Sequence, residues 1–232
     1  MTAEGQTEGA PPVGAPPVGA PTSGSLAPES STVGDAPGSL RLFVALTPPA
    51  AAARALAAAA EPIVAACHGS ARAVAAGAVH LTLRFLGDTP PARVPTLRDG
   101  LAAAAAAGAP LTLAVAGAGA FPTLARAQVL WLGLAPDAAL DALAHRVDDA
   151  CAAAGAGREA RPFRAHLTVA RLRRGARVDR DALGPALAAV QAPNPFVVAT
   201  LDLVASTLTR AGARHDVLAR FPLGTGAPEL AG

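Results

Sequence analysis

One four-residue phrase occurs twice in this chain, as His80-Leu81-Thr82-Leu83 and as His166-Leu167-Thr168-Val169. Each copy sets a titratable imidazole two residues before a hydroxyl. In a β-strand, side chains i and i+2 share a face while i+1 and i+3 point the other way. His and Thr of each copy are therefore expected to face a cleft, with Leu81, Leu83, Leu167 and Val169 facing a core. Histidine titrates near neutrality and serves as general acid or general base, and a hydroxyl donates a hydrogen bond to an anionic oxygen. Two such pairs facing each other suit displacement at a phosphate. One imidazole takes a proton from the attacking oxygen, the other protonates the departing one, and the hydroxyls hold the oxygens on which charge grows. This arrangement calls for no metal and no cofactor.

The chain holds five His, and two His-Leu-Thr copies arise by chance in roughly one shuffled chain in a thousand or two. A single copy reads as a buried structural histidine; the pair reverses that reading. His68, at an expected helix end, is taken as a surface residue stabilised by the helix dipole. His145 is assigned to the solvated face of a helix, and His215, just before the last strand, to a structural role. Phe85 shares the Leu81 face by parity and is expected in the core, and Trp131 is read as a packing residue.

Strands and helices must bring residues 86 positions apart (166 − 80) into one cleft. Leu40–Leu46 reads as a strand, and Pro48-Pro49 opens an alanine-rich helix to about Cys67. Val79–Leu86 is the first motif strand, stopped by Gly87-Asp88. A helix over Pro91 to about Ala107 follows, then strands at Leu111–Val115 and Gln128–Leu134. Pro136–Ala154 is a helix with Leu140, Leu143 and Val147 at helical spacing. The second motif strand spans about His166–Leu172, then come a short helix near Asp179–Val190 and strands at Phe196–Leu208 and His215–Phe221. Two similar rounds of strand and helix, each with one motif strand, imply an α+β domain of two related lobes around a central groove.

A chain of 232 residues fits one or two domains with a real core. Residues 1–38, rich in Pro, Gly, Ser, Thr and Ala with an Ala-Pro-Pro-Val-Gly repeat, are expected to be a disordered tail; residues 225–232 are expected to be a second flexible tail, leaving 39–224 as the folded domain. The first tail carries only Glu4, Glu8, Glu29 and Asp35, so removing these four from the net +2 leaves +6 on the remainder. That balance favours an anionic ligand. Cys67 and Cys151 lie far apart in helix-like stretches and read as buried apolar residues in a reducing compartment. The uncharged run Leu101–Ala120 is broken by Pro110 and is read as helix end, turn and strand rather than a membrane span. No basic cluster with an apolar stretch behind it opens the chain, so a cytoplasmic protein away from membranes is expected.

The paired motifs resemble those of the two-histidine phosphoesterase superfamily, and within it the bacterial RNA 2′,3′-cyclic phosphodiesterases, the LigT-like or ThpR-like proteins. The resemblance rests on Arg41-Leu42-Phe43-Val44-Ala45-Leu46, on His80 through Asp88, and on Phe121-Pro122 followed by Val129-Leu130-Trp131-Leu132-Gly133. Arg161-Pro162-Phe163-Arg164-Ala165-His166-Leu167-Thr168 and Phe221-Pro222-Leu223 complete it, over about Leu40 to Leu223. Ala165 stands where the family usually has proline, and the tail is extra.

The resemblance implies a bilobal LigT-like fold, mostly antiparallel sheet with outer helices around a cleft. It implies hydrolysis of RNA or nucleotide 2′,3′-cyclic phosphate ends to a 2′-phosphate; no obligate protein partner is evident in the sequence. His80 would be the acid at the leaving oxygen and His166 the base for water, a polarity that two near-equivalent motifs leave open. Thr82 and Thr168 would be phosphate donors. Arg171, five residues after the second histidine, would help hold substrate, although strict alternation points it away from the cleft unless a bulge intervenes. Phe43 would line the base pocket, the alternative being a core position. The eight arginines between Arg158 and Arg180 read either as an electrostatic funnel for RNA ends or as a solvated loop in a lysine-free protein. Two other functions use the same residues: an RNA-end binding protein without turnover, and 2′-5′ ligation by the reverse reaction.

Overall fold

The cleft is built on one sheet that divides into two four-stranded halves. The structure, a computed structural model, describes residues 38–209 and 212–224; the expected tails 1–38 and 225–232 lie outside the described residues apart from Gly38. The first half runs β10 (Gly212–Pro222), β9 (Thr200–Thr209), β1 (Leu40–Leu46) and β3 (Leu81–Thr89). The second contains β7 (His166–Leu172), β6 (Val129–Leu134) and β5 (Val115–Phe121), with β2 (Ala71–Ala73) also on β7. Every strand pair among the described residues is antiparallel, and the halves meet at one pair, Leu81 with Leu167. A separate ribbon joins β4 (Leu111–Leu113) to β8 (Phe196–Val198).

The helices cover the face away from the cleft and cross between the halves. Helix α1 (Ala50–Ala65) buries Ala53, Leu56, Ala60 and Ile63 at helical spacing and packs on β7, although it follows β1. Helix α3 (Ala138–Cys151) leaves β6 and packs on β3. Asp137 caps it, accepting from the Leu140 amide at 2.8 Å. Helix α2 (Val94–Ala106) lies against α3, β9 and β10, and α4 (Arg180–Ala188) against α1 and β5. Leu81, Leu167, Leu132, Leu143 and Val147 are essentially inaccessible in the shared core.

Both motif strands carry a bulge at the same place. In β3, Ala45 pairs with Thr82 and Val44 with Arg84, leaving Leu83 as an extra residue. In β7, Trp131 pairs with Thr168 and Leu130 with Ala170, leaving Val169. An extra residue inverts the alternation beyond it. The face that carries His and Thr therefore continues not at His+4 but at His+5, which is Phe85 in one half and Arg171 in the other.

That inversion corrects one sequence expectation: Phe85 is 44% exposed, on the cleft face, and Arg84 takes the buried position behind it. Gly87-Asp88 does not stop the strand, which runs on to Thr89 through a second bulge at Leu86. The single strand expected over Phe196–Leu208 is divided at Ala199 into β8 and β9. Strands β2 and β5 are additions to the expected set; β5 reads Val-Ala-Gly-Ala-Gly-Ala-Phe, whose small residues give little strand signal.

Candidate active site

At the seam, His80 immediately precedes β3 and His166 opens β7. With Leu81 paired to Leu167, antiparallel register sets His80 opposite Thr168 and Thr82 opposite His166. All four lie on the face opposite the two buried leucines. The structure thus brings together the four residues of the motifs. Neither threonine hydroxyl has a protein hydrogen-bond partner among the described residues.

Both imidazoles are held in the same way. His80 Nδ1 lies 2.8 Å from the Ala78 carbonyl, and His166 Nδ1 lies 2.7 Å from that of Arg164. A carbonyl only accepts, so each Nδ1 carries the proton and donates it. In the neutral ring Nε2 is then an unprotonated base, and in the imidazolium it is an acid. Each histidine can fill either role, and a backbone carbonyl fixes its tautomer.

Their surroundings differ. His80 stacks on Phe43 with centroids 4.8 Å apart, and His215 stands edge-on to both rings at 5.1 Å. Phe43 is covered by these two rings and is only 4% exposed, packed with Ala45 and Val204 on the cleft side. His166 meets the edge of Phe121 at 5.0 Å and Trp131 at 6.4 Å. Trp131 faces the cleft beside Thr168 rather than the core. Its indole lies over Gly119, where a Cβ would come within 2.3 Å of the ring.

Burial pushes the His80 pKa down to about 4, a backbone hydrogen bond from its ring opposes this, and the positive charges of His215, Arg171 and His166 lower it further. His166 is lowered by burial and by Arg171. Arg171 thus lies close enough to act on both imidazoles, on the face to which the Val169 bulge returns it. Arg72 pairs with it across β2 and β7. His215, read from the sequence as structural, and Trp131, read as a packing residue, both stand beside the cleft histidines. His215 reaches this face through the β9–β10 register, in which Val217 pairs with Val204, and no local pattern announces that; for Trp131 a signal was present, since Gly119 and Gly133 leave room for a large ring.

Behind β3, Arg84 ties the two motifs together. Its Nη1 lies 3.0 Å from Glu159 Oε2, its Nη2 donates to the Gly157 carbonyl at 3.0 Å, and its Nε lies 3.1 Å from Asp148 Oδ1. The first motif strand is thereby bound to the segment that leads into the second. Arg158 pairs with Asp149 at 2.6 Å and Arg161 with Glu159 at 3.2 Å, while Arg173 donates to the Gly69 carbonyl. Three of the eight clustered arginines are thus structural. Arg164, Arg174, Arg177 and Arg180 are exposed. Among the described residues no group of three or more His, Cys, Asp or Glu stands ready to hold a metal ion.

A two-lobed antiparallel fold with one His-x-Thr motif from each half defines a two-histidine phosphoesterase architecture. The sequence model of the 2′-5′ RNA ligase superfamily matches residues 47–210, and the chain belongs to that superfamily. It is 37% identical to an RNA 2′,3′-cyclic phosphodiesterase of Geobacillus stearothermophilus over 65% of this chain and 46% of that protein. It is 31% identical to the protein of the same name from Aquifex aeolicus, over 63% of this chain and 78% of the relative. The chain thus spans less than half the length of the first relative and about three quarters of the second. Among solved structures, E. coli LigT complexed with 3′-AMP superposes with a TM-score of 0.62 at 27% identity, over 80% of this chain and 98% of LigT. The fold is LigT-like.

Proposed function

We propose that the protein opens 2′,3′-cyclic phosphate ends of RNA or nucleotides with water, leaving a 2′-phosphate. His166 Nε2 takes a proton from water, whose oxygen forms a bond to phosphorus. The bond from phosphorus to the ribose 3′-oxygen breaks, and His80 Nε2–H protonates that oxygen. The Thr82 and Thr168 hydroxyls and the Arg171 guanidinium hold the non-bridging oxygens, and Phe43 is the floor on which His80 is stacked. The observation that carries the reading is two imidazoles, each with Nδ1 committed to a carbonyl, on one face of a single antiparallel pair. The activity for which the two bacterial relatives are named and the 3′-AMP held by LigT support it.

The test is incubation with a 2′,3′-cyclic mononucleotide, followed by phosphorus NMR. The expected product is the 2′-phosphate, at a rate unaffected by EDTA. His80→Ala and His166→Ala each abolish turnover with the circular dichroism of the folded protein retained. Near-full activity in either variant overturns the assignment, and binding without turnover in the wild type identifies a recognition protein instead. The superfamily name favours a second reading: with a 5′-hydroxyl in place of water as the attacking group, the same proton transfers would join it to the cyclic phosphate as the 3′-oxygen leaves, and adding a 5′-hydroxyl oligonucleotide detects it. We place the folded unit at 39–224 and the protein in the cytoplasm, a reducing setting consistent with two buried, unpaired cysteines. No helix among the described residues is long and apolar enough to cross a membrane.

A further inference from the structure

We propose that Phe85 and Arg41 form a second nucleotide subsite, which receives the residue preceding the terminal nucleotide and makes an oligonucleotide rather than a mononucleotide the preferred substrate. The proposal rests on the cyclic phosphate occupying the two-histidine cleft. Its first support is position. Phe85 pairs with Phe43, and Phe43 is the floor beneath His80. The Phe85 row lies two residues along β1 from the row of Ala45 and Thr82, about 7 Å from the phosphate-binding hydroxyl. A chain that leaves the cleft along this face meets Phe85 next.

The second support is exposure without a structural reason. Phe43 is covered, while Phe85 leaves 44% of its surface open. A bulge at Leu83 spends a strand irregularity to turn this ring toward the cleft and bury a guanidinium in its place. Without it the ring would join the core and Arg84 would face solvent. Exposed aromatic rings on an open sheet face are stacking platforms for nucleobases.

The third support is charge. Arg41 stands opposite Asp88 in the β1–β3 register, yet no ion pair joins them among the described residues. Its guanidinium instead lies over the Phe85 ring at 4.9 Å. Arg41 is exposed, and its donors are open to the phosphate that links the last two nucleotides. A ring with a cation beside it is matched to a base with a phosphate beside it. In the other half the equivalent of Phe85 is Arg171, beside Arg72. One half thus offers the cleft cations and the other a stacking ring.

The experiment compares adenosine 2′,3′-cyclic phosphate with the dinucleotide ApA bearing the same cyclic end. The dinucleotide is expected to have a kcat/KM about tenfold higher, the value of one base–aromatic stack. Phe85→Ala removes that advantage and leaves mononucleotide turnover unchanged, whereas Phe85→Trp retains it. Arg41→Gln lowers dinucleotide kcat/KM by roughly threefold and flattens its salt dependence. Equal kcat/KM for the two wild-type substrates, or equal losses on both in Phe85→Ala, overturns the subsite. Calorimetry with ApA 3′-phosphate and adenosine 3′-phosphate reads the same preference without turnover. Tighter dinucleotide binding that depends on Phe85, in a protein that hydrolyses neither cyclic substrate, upholds the subsite and overturns the hydrolase reading alone.

Discussion

The two halves of the cleft hold their histidines alike and surround them differently. Each has an imidazole tied through Nδ1 to the carbonyl two residues before it, a threonine two residues after it, and a bulge three residues after it. Beyond the bulge the halves diverge. The first buries Arg84 and shows Phe85; the second buries Ala170 and shows Arg171. The shared part fixes where a proton can be given or taken, and the divergent part decides what lies beside it. His80 lies among Phe43 and a third imidazole, whereas His166 has Phe121 and Trp131 for neighbours.

The largest effect expected from this comparison separates acid from base. General acid–base groups contribute on the order of 10²–10⁴ each. On a cyclic nucleotide, His80→Ala and His166→Ala should both lose that much. A phosphodiester with a p-nitrophenyl leaving group needs no proton at the departing oxygen. On it, His80→Ala should recover most of the loss and His166→Ala none. Recovery in His166→Ala instead would reverse the polarity, and recovery in neither would mean that both imidazoles act on the nucleophile or the phosphate.

The paired motifs were legible because period two and residue chemistry suffice to place His80, Thr82, His166 and Thr168 on one face. Helix α3 was legible for a similar reason, through Leu140, Leu143 and Val147. What escaped were the consequences of the bulges. Parity assigned Phe85 to the core and turned Arg171 away; one extra residue in each strand reversed both, and only the second was foreseen as a condition. A bulge is set by how neighbouring strands register, as Val44 and Ala45 do on β3, and no local sequence pattern announces it. Strand β5 escaped because alternating Ala and Gly carries no apolar periodicity; its role is to leave room for Trp131.

The next effect is on stability. Arg84→Met keeps apolar bulk in the buried site but leaves Asp148 and Glu159 without their shared partner. Both carboxylates are partly exposed and keep Arg158 and Arg161 as partners, so the cost is that of the lost charge-assisted hydrogen bonds, on the order of 2 kcal/mol. Urea unfolding should show that loss, together with a smaller fall in kcat from a loosened His166 segment. The matching change behind the second motif, Ala170→Ser, should cost less, because no ion pair is broken there. Equal losses would show that the network does not set the halves apart. Smaller again is Arg171→Ala, expected to raise KM roughly tenfold and to flatten its salt dependence. Arg171→Lys should recover the salt dependence with only part of the affinity.

The smallest effect is a movement of titration, and its sign follows from the environment of His80. Burial holds this imidazole down to about 4, with His215, Arg171 and His166 adding like charge. As pH falls from the ordinary histidine range toward 4, the unfolded chain takes up the proton before the folded one, so stability declines over that window. Catalysis runs the other way. With His80 as acid, kcat/KM must fall as pH rises past its pKa in the free protein, whereas kcat reports the complex, where the substrate's negative charge offsets the surrounding cations and raises that pKa. The descending limb of kcat should therefore lie at higher pH than that of kcat/KM. His215→Asn removes one like charge and part of the ring packing, so the His80 Cε1–H resonance should titrate at higher pH and the kcat/KM limb should follow. The His166 resonance, flanked by Trp131 instead, should stay where it is. Movement of both resonances together would mean that His215 acts on the cleft as a whole, and the asymmetry between the halves would then lie in Phe85 and Arg171 alone.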